Sequence, residues 1–251
     1  RQRQMCIRDR SNKVQYRVAL SASASLPLVY LTPVNKQAPM TAPNFCMLLR
    51  KHINNGRITD IAQPKLERII RIEIEHLDEL GDLCKKYLVI EIMGKHSNII
   101  FCHADGTIID SIKHVSGLVS SVREVLPGKQ YFIPQTQEKL NPLTLDEALW
   151  KTHVLTKPTS IYKAIYGNYT GISPIVAQEI CFRAGVDGEV STASLSDADS
   201  HKLYETFNKM MADVQTGCFA PHIAYTGKNP VEFSAFPLTM YSGDNDRIVP
   251  Y

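Results

Sequence analysis

No two cysteines in this sequence stand at a metal-ligand spacing. The six, Cys6, Cys46, Cys84, Cys102, Cys181 and Cys218, form neither a CxxC pair nor a regular framework. That argues against structural zinc and against a disulfide scaffold. It argues for a reduced, cytosolic protein whose thiols act as small hydrophobes. No apolar run nears the ~20 residues of a membrane-spanning helix, so no membrane partner is expected. Signatures of catalysis are missing too: there is no GxSxG, HExxH, P-loop or strand-following GxGxxG. The eight histidines show no i, i+4 pairing. Nothing nominates a nucleophile or an acid/base pair, so no catalytic residue, metal or cofactor is expected and the chain reads as a binding protein, not an enzyme.

Net charge is also lacking once the first ten residues are set aside. Residues 1–10 have neither periodicity nor the apolar stretch of a signal peptide and resemble translated sequencing-adapter sequence. The whole chain carries 28 Lys+Arg against 25 Asp+Glu; without Arg1, Arg3, Arg8, Arg10 and Asp9 the balance is 24 against 24. Affinity for a polyanion must therefore come from local clustering. Residues 50–71 supply it, with Arg50, Lys51, Arg57, Lys65, Arg68 and Arg71 against Asp60 and Glu67, while residues 187–205 lean acidic.

What is present is a β-rich stretch followed by a helical one. Tyr16 to Ser21 and Leu28 to Leu31 read as strands, and Pro33 to Pro43 as a connector. A helix starting near Pro43 buries Phe45, Leu48, Leu49 and Ile53 and ends at Asn54-Asn55-Gly56. Arg50, Lys51 and His52 in its last turn also suit the helix dipole, with no ligand required. Strands follow at Arg57 to Gln63, Arg68 to His76 and 84–92. In the second of these Ile70, Ile72 and Ile74 face inward, and Arg71, Glu73 and Glu75 face solvent. Val122 to Leu126 reads as a short helix and 127–143 as a Pro-containing linker. Beyond it, Thr144 to Glu147 fits a capping box. Ser160 to Tyr166 is predicted helical, Ser173-Pro174 opens a helix through Ala184, and Asp197 to Gln215 forms a longer one before Gly217. Strand-like runs return at His222 to Tyr225 and Val231 to Phe236, with no terminal element expected after them. The fold class predicted is α+β, with a β-rich core over 11–126, the linker at 127–143, a helical domain over 144–217 and a strand segment over 218–251.

The stretch Met93-Gly94-Lys95-His96-Ser97-Asn98 lies between two apolar runs and forms a donor-rich corner suited to phosphate or sugar oxygens. Asp105-Gly106 between apolar runs predicts a tight hairpin. A two-residue turn there places Asn98 opposite Lys113 and Ser97 opposite His114. Lys95 and His96 then converge with Lys113 and His114 into a cationic patch; the alternative is two solvated Lys–His pairs at a strand end.

Four segments, in order, resemble the NFACT family, of RqcH and fibronectin-binding protein A type. They are Asn44 to Ile53; Glu91 to Ile100; Leu126-Pro127-Gly128 with Tyr131; and Gly171-Ile172-Ser173-Pro174 with Arg183-Ala184-Gly185. The resemblance covers nearly everything after residue 15. It implies an N-terminal domain similar in fold to that of the formamidopyrimidine-DNA glycosylases, followed by a helix-hairpin-helix-like region. It implies a function in ribosome-associated quality control: binding the large ribosomal subunit that carries peptidyl-tRNA, recruiting alanyl-tRNA and supporting alanine tailing of the stalled chain. The family's functional Asp-Arg pair falls on Glu67-Arg68, with Glu in place of Asp. The family's acidic residue near the N-terminus and its coiled coil have no counterpart in this sequence. The expected RNA-binding residues are Arg50, Lys51, Glu67, Arg68, Lys95, His96, Ser97, Asn98 and Lys113. Two other readings stay open, a fibronectin-binding adhesin and a glycosylase-like DNA-binding enzyme.

Overall fold

A computed structural model of the chain describes residues 4–11, 14–34, 40–133 and 139–251. It separates into two compact units, Arg1–Thr136 and Gln137–Tyr251. The architecture is α+β, antiparallel sheets first and helices after.

In the first unit, strands β1 (Gln4–Ser11), β2 (Val14–Ala22) and β3 (Pro27–Leu31) form one antiparallel sheet. Helix α1 (Asn44–Ile53) follows, ending in a last turn of Arg50, Lys51 and His52 as predicted. A second sheet is a meander of β4 (Arg57–Ala62), β5 (Ile69–Leu77), β6 (Leu83–Glu91), β7 (Asn98–His103) and β8 (Ile108–Ser111), in that spatial order. Its period-2 pattern serves two cores. Ile72, Ile74, Leu88, Ile90, Ile99 and Phe101 pack under Phe45 and Leu49 of α1 and Leu20 and Ala22 of β2. On the other face Ile69, Val89, Ile100, Cys102 and Ile108 pack against Val125, with Tyr131 at the margin. Covered on both faces, β6 and β7 read as continuous apolar runs rather than alternating ones.

Several expectations are corrected here. Residues 4–11 do not stand apart: β1 pairs with β2 from Gln4↔Ser21 to Ser11↔Val14. Main-chain groups alone make such a ladder, so an edge strand needs no apolar periodicity. Residues 1–3, the middle of the Pro33 to Pro43 connector (35–39) and part of the linker (134–138, with Pro134) lie outside the described residues. Val122 to Leu126 is not helical; Val125 bridges to Val115 and is buried beneath the sheet. Nor is 127–133 a linker. Gly128 N donates to Ile108 O (2.8 Å), Ile108 N to Lys129 O (2.8 Å) and Tyr131 N to Gly106 O (2.9 Å), so this segment belongs to the first unit.

The second unit opens with α2 (Glu147–Leu149), which runs into a π-helical turn, Trp150–Val154. Its N-cap is Asp146, whose carboxylate accepts from Leu149 N at 3.0 Å, rather than the predicted Thr144. Helices α3 (Ile161–Asn168) and α4 (Pro174–Arg183) are joined through Gly171 at φ +75°. Ser173 caps α4, accepting from Val176 N (3.3 Å). Helix α5 (Asp197–Thr216) ends at left-handed Gly217. The core of this unit is Trp150, which stacks on Tyr169, meets Phe207 edge-on and donates from Nε1 to the Ser200 hydroxyl at 3.2 Å. Strands β9 (His222–Thr226), β10 (Asn229–Ser234) and β11 (Asp246–Pro250) make a small sheet in the order β10-β9-β11. The last strand is a terminal element that the sequence reading did not expect.

Candidate nucleic-acid interface

One end of the five-stranded sheet gathers three segments distant in sequence. Ile92 N donates to Arg68 O at 2.8 Å, continuing the β5–β6 ladder past Ile69↔Glu91. Glu67-Arg68 therefore lies directly beside the loop that joins β6 to β7. On the other side, Asn98 is locked to Lys113: Asn98 Nδ2 donates to Lys113 O (2.9 Å) and Lys113 N to Asn98 Oδ1 (3.0 Å). The predicted facing of Asn98 and Lys113 holds. The turn does not: His103 N bonds to Thr107 O, and Cys102↔Ile108 is one residue out of register with Phe101↔Asp110. A three-residue connection and a bulge at Ile109 replace the two-residue turn. Their errors cancel at the open end of the hairpin.

The corner's buried residues hold it and its exposed ones are offered. Ser97 and Asn98, expected as RNA contacts, are buried. Ser97 Oγ accepts from Met93 N at 2.8 Å, and its carbonyl accepts from Lys113 Nζ at 2.6 Å. Asn98 Oδ1 also accepts from Ile99 N (2.9 Å). Lys113 thus reaches the corner, with its ammonium on backbone. Gly94, at φ +56°, forms the tight turn that leaves Lys95 and His96 exposed. His114 does not join them; its Nε2 sits 2.6 Å from Asp110 Oδ1.

Beneath the corner lies a buried charge that the site reasoning missed. Glu91 is fully buried and is held by Arg123 Nη2, which donates to Oε2, and by the Tyr131 hydroxyl, which donates to Oε1 at 3.0 Å. Burial works against the charge on Arg123, but the Glu91 carboxylate outweighs it and holds the guanidinium above its usual range. Burial, then the same carboxylate, pushes the Tyr131 phenol up, so it stays an O–H donor. The signal was available: a lone acid ending an apolar run, and a Pro-Gly turn placing one tyrosine.

Charge accounting separates the other candidates. Lys51 Nζ is 3.2 Å from Glu79. Glu79 lies in the β5–β6 turn, at the opposite end of a strand that is about 30 Å long. Lys51, and Arg50 beside it on α1, are thus not part of the corner; helix and sheet packing carries the last turn of α1 to the far end. Arg57 and Lys85 are neutralised by Glu75 and Glu73 on the solvent face of β5. Among the described residues Lys65, Arg68 and Lys95 make no ion pair. Glu67 makes none with Arg68, so the neighbouring carboxylate does not clamp the guanidinium. Lys65 and Arg71 join the list. Lys65 and Leu66, at φ +46° and +58°, form a left-handed turn immediately before Glu67. Arg71 stacks over Tyr87 at 4.9 Å, three residues along β5 from Arg68.

The architecture defines the class first. The fold matches the N-terminal part of the fibronectin/fibrinogen-binding protein from Streptococcus suis at TM-score 0.75 and 27% identity, covering 94% of this chain and 79% of that one. It matches the fibrinogen-binding protein from Staphylococcus aureus at TM-score 0.79 and 27% identity, covering 99% and 83%. In sequence, the chain is 35% identical to the Rqc2 homolog RqcH of Bacillus subtilis (strain 168), over 92% of this chain and 39% of that protein. It is 28% identical to the archaeal Rqc2 homolog aRqcH of Methanocaldococcus jannaschii over 74% of this chain and 26% of that protein. The family described as NFACT N-terminal and middle domains matches residues 1–249. The chain belongs to the NFACT family, and it spans about two fifths of the length of its Bacillus relative.

Proposed function

We propose that this chain is the RNA-engaging N-terminal part of a cytoplasmic ribosome quality-control factor, a binding module without catalytic chemistry of its own. Its ligands on this reading are a tRNA, alanyl-tRNA by family, and the large ribosomal subunit that carries peptidyl-tRNA. The process served is alanine tailing of stalled chains. The observation that carries the reading is the Ile92–Arg68 backbone bond. It sets the family's Arg68 at the base of the loop that carries Lys95 and His96, all three exposed, with Lys65 on the adjoining turn. Cations without carboxylate partners are the ones able to displace counterions from a phosphate backbone.

The test is crosslinking of tRNA to the ribosome-bound full-length protein. With Arg68→Ala or Lys95→Ala, crosslinking falls about tenfold, as expected for one charged hydrogen bond of about 1.4 kcal/mol or more, and the salt slope of binding falls by about 1 each. Lys51→Ala leaves both unchanged. Equal crosslinking by Arg68→Ala and the parent removes the corner from the interface. The names of the solved relatives favour a second reading, capture of fibronectin or fibrinogen. Binding of labelled fibronectin by washed intact cells, lost on deletion of the protein, would support it.

A further inference from the structure

The far end of the same sheet holds a lysine in a place where lysine is rarely found. Lys86 on β6 is 6% exposed. Lysine is almost never buried without a charge partner, yet among the described residues Lys86 has no carboxylate within ion-pair distance. What surrounds it is imidazole. Ladder pairing sets His103 directly opposite Lys86, and Lys86 beside Ile74, two residues from His76 on the same strand face. His52, in the last turn of α1, packs its ring 6.0 Å from Phe101, the next residue but one from His103 on that face.

The hydrogen bonds fix one protonation pattern. His76 Nδ1 lies 2.9 Å from Leu77 O, which can only accept, so Nδ1 carries the proton. Nε2 is then the acceptor for Lys86 Nζ. A neutral His76 thus takes one of the three ammonium N–H groups. The nearby acids are engaged elsewhere. Glu79 pairs with Lys51, and Asp105 accepts from Thr107 N at 2.8 Å. Glu73 and Glu75 lie on the opposite face with Lys85 and Arg57. Burial, then the charge of Lys86, holds His52 below its ordinary value, as expected of a ring that faces an uncompensated cation. The C-terminal end of α1 offers Lys86 only a fractional negative charge.

We infer that Lys86, with His52, His76 and His103 around it, forms an oxyanion site that takes a single phosphate group beneath the last turn of α1. Two ammonium N–H groups and the imidazole N–H groups of His52 and His103 are the donors. The site is separate from the Arg68–Lys95 corner, so neither stands or falls with the other.

Inorganic phosphate is the probe, compared with chloride at equal ionic strength on the full chain. Phosphate raises the Tm of the parent by a few degrees more than chloride does. The increment disappears in Lys86→Met and shrinks in the exposed-site variant His103→Gln, while Arg68→Ala keeps it. Should Lys86→Met fail to fold, nuclear magnetic resonance of the histidine rings of the parent decides: the His52, His76 and His103 signals move with phosphate and that of His201, in the second unit, does not. Equal increments in phosphate and chloride, or unmoved ring signals, overturn the site. A short RNA oligonucleotide that gives the same ring shifts at lower concentration assigns the phosphate to a nucleic-acid backbone. If phosphate alone gives them, the source is a small phosphate. Both outcomes support the site.

Discussion

At the scale of the residue, one motif divides its labour by burial. Glu91, Ser97 and Asn98 face inward and saturate their hydrogen bonds with Arg123, Tyr131, Met93 and Lys113, while Lys95 and His96 stay outside. The inner group is structural, and Glu91→Gln tests this. It leaves the Arg123 guanidinium, only 10% exposed as a side chain, beside a neutral amide. Breaking a buried pair by removing one partner costs about 3–5 kcal/mol, so the Tm should fall by roughly 10 °C. The double variant Glu91→Gln/Arg123→Met should recover part of that fall, because the orphaned charge goes too. A single variant that melts with the parent would mean that the pair is not what holds the corner.

Elements show how far local pattern carries. The strand alternation from Ile69 to Leu77 was legible because each side chain of β5 sees only two environments. So was α5, closed by Gly217; its Ser196 cap is a finding of the structure. The turn at 104–106 was not, since Asp-Gly suits both two- and three-residue connections and the bulge at Ile109 is chosen by packing. The 122–126 stretch has a helical pattern, but Val125 gains more by burial under β7 and β8. In the second unit, Glu179 of α4 is fully buried. It accepts from Arg183 Nε (2.6 Å), from Thr239 N (2.8 Å) and Oγ1 (2.6 Å), and from Met240 N (2.9 Å). The Arg183-Ala184-Gly185 motif is thus spent on tying the loop at 237–240 to α4. Glu179→Gln should raise amide hydrogen exchange at Thr239 and Met240 by about tenfold or more, the charged hydrogen bonds lost being worth about 1.5–3 kcal/mol. Unchanged exchange at those two amides would contradict the tie.

For the whole molecule, pH reads out two sets of groups. His52 is held below 6.5, by burial first and by Lys86 second, with smaller contributions from Lys51, His76 and His103. As pH falls past 6.5 the unfolded chain binds a proton there that the folded chain refuses. Stability is therefore full above that value and declines below it. The half-buried carboxyls of Glu73 and Glu124 are also held low, first by hydrogen bonds from Lys85 and Lys129. Their support is present above about pH 4.5 and fades beneath it. Melting curves at pH 7.5, 5.5 and 3.5 should show both declines, and His52→Leu should abolish only the first; a parent Tm that is level from pH 7.5 to 5.5 refutes the assignment. The sequence by itself determined the family, the four motifs and most of the strands and helices, because these depend on neighbours within a few residues; it missed β1 and β11 and read 122–126 as a helix. Only the tertiary structure decided which charges meet. Antiparallel pairing sets Arg68 beside Ile92, at the start of the loop that carries Lys95. Packing of α1 on the sheet sends Lys51 to the far end, and the ladder sets His103 opposite Lys86, since a strand's partners are chosen by the whole core and not by its own sequence.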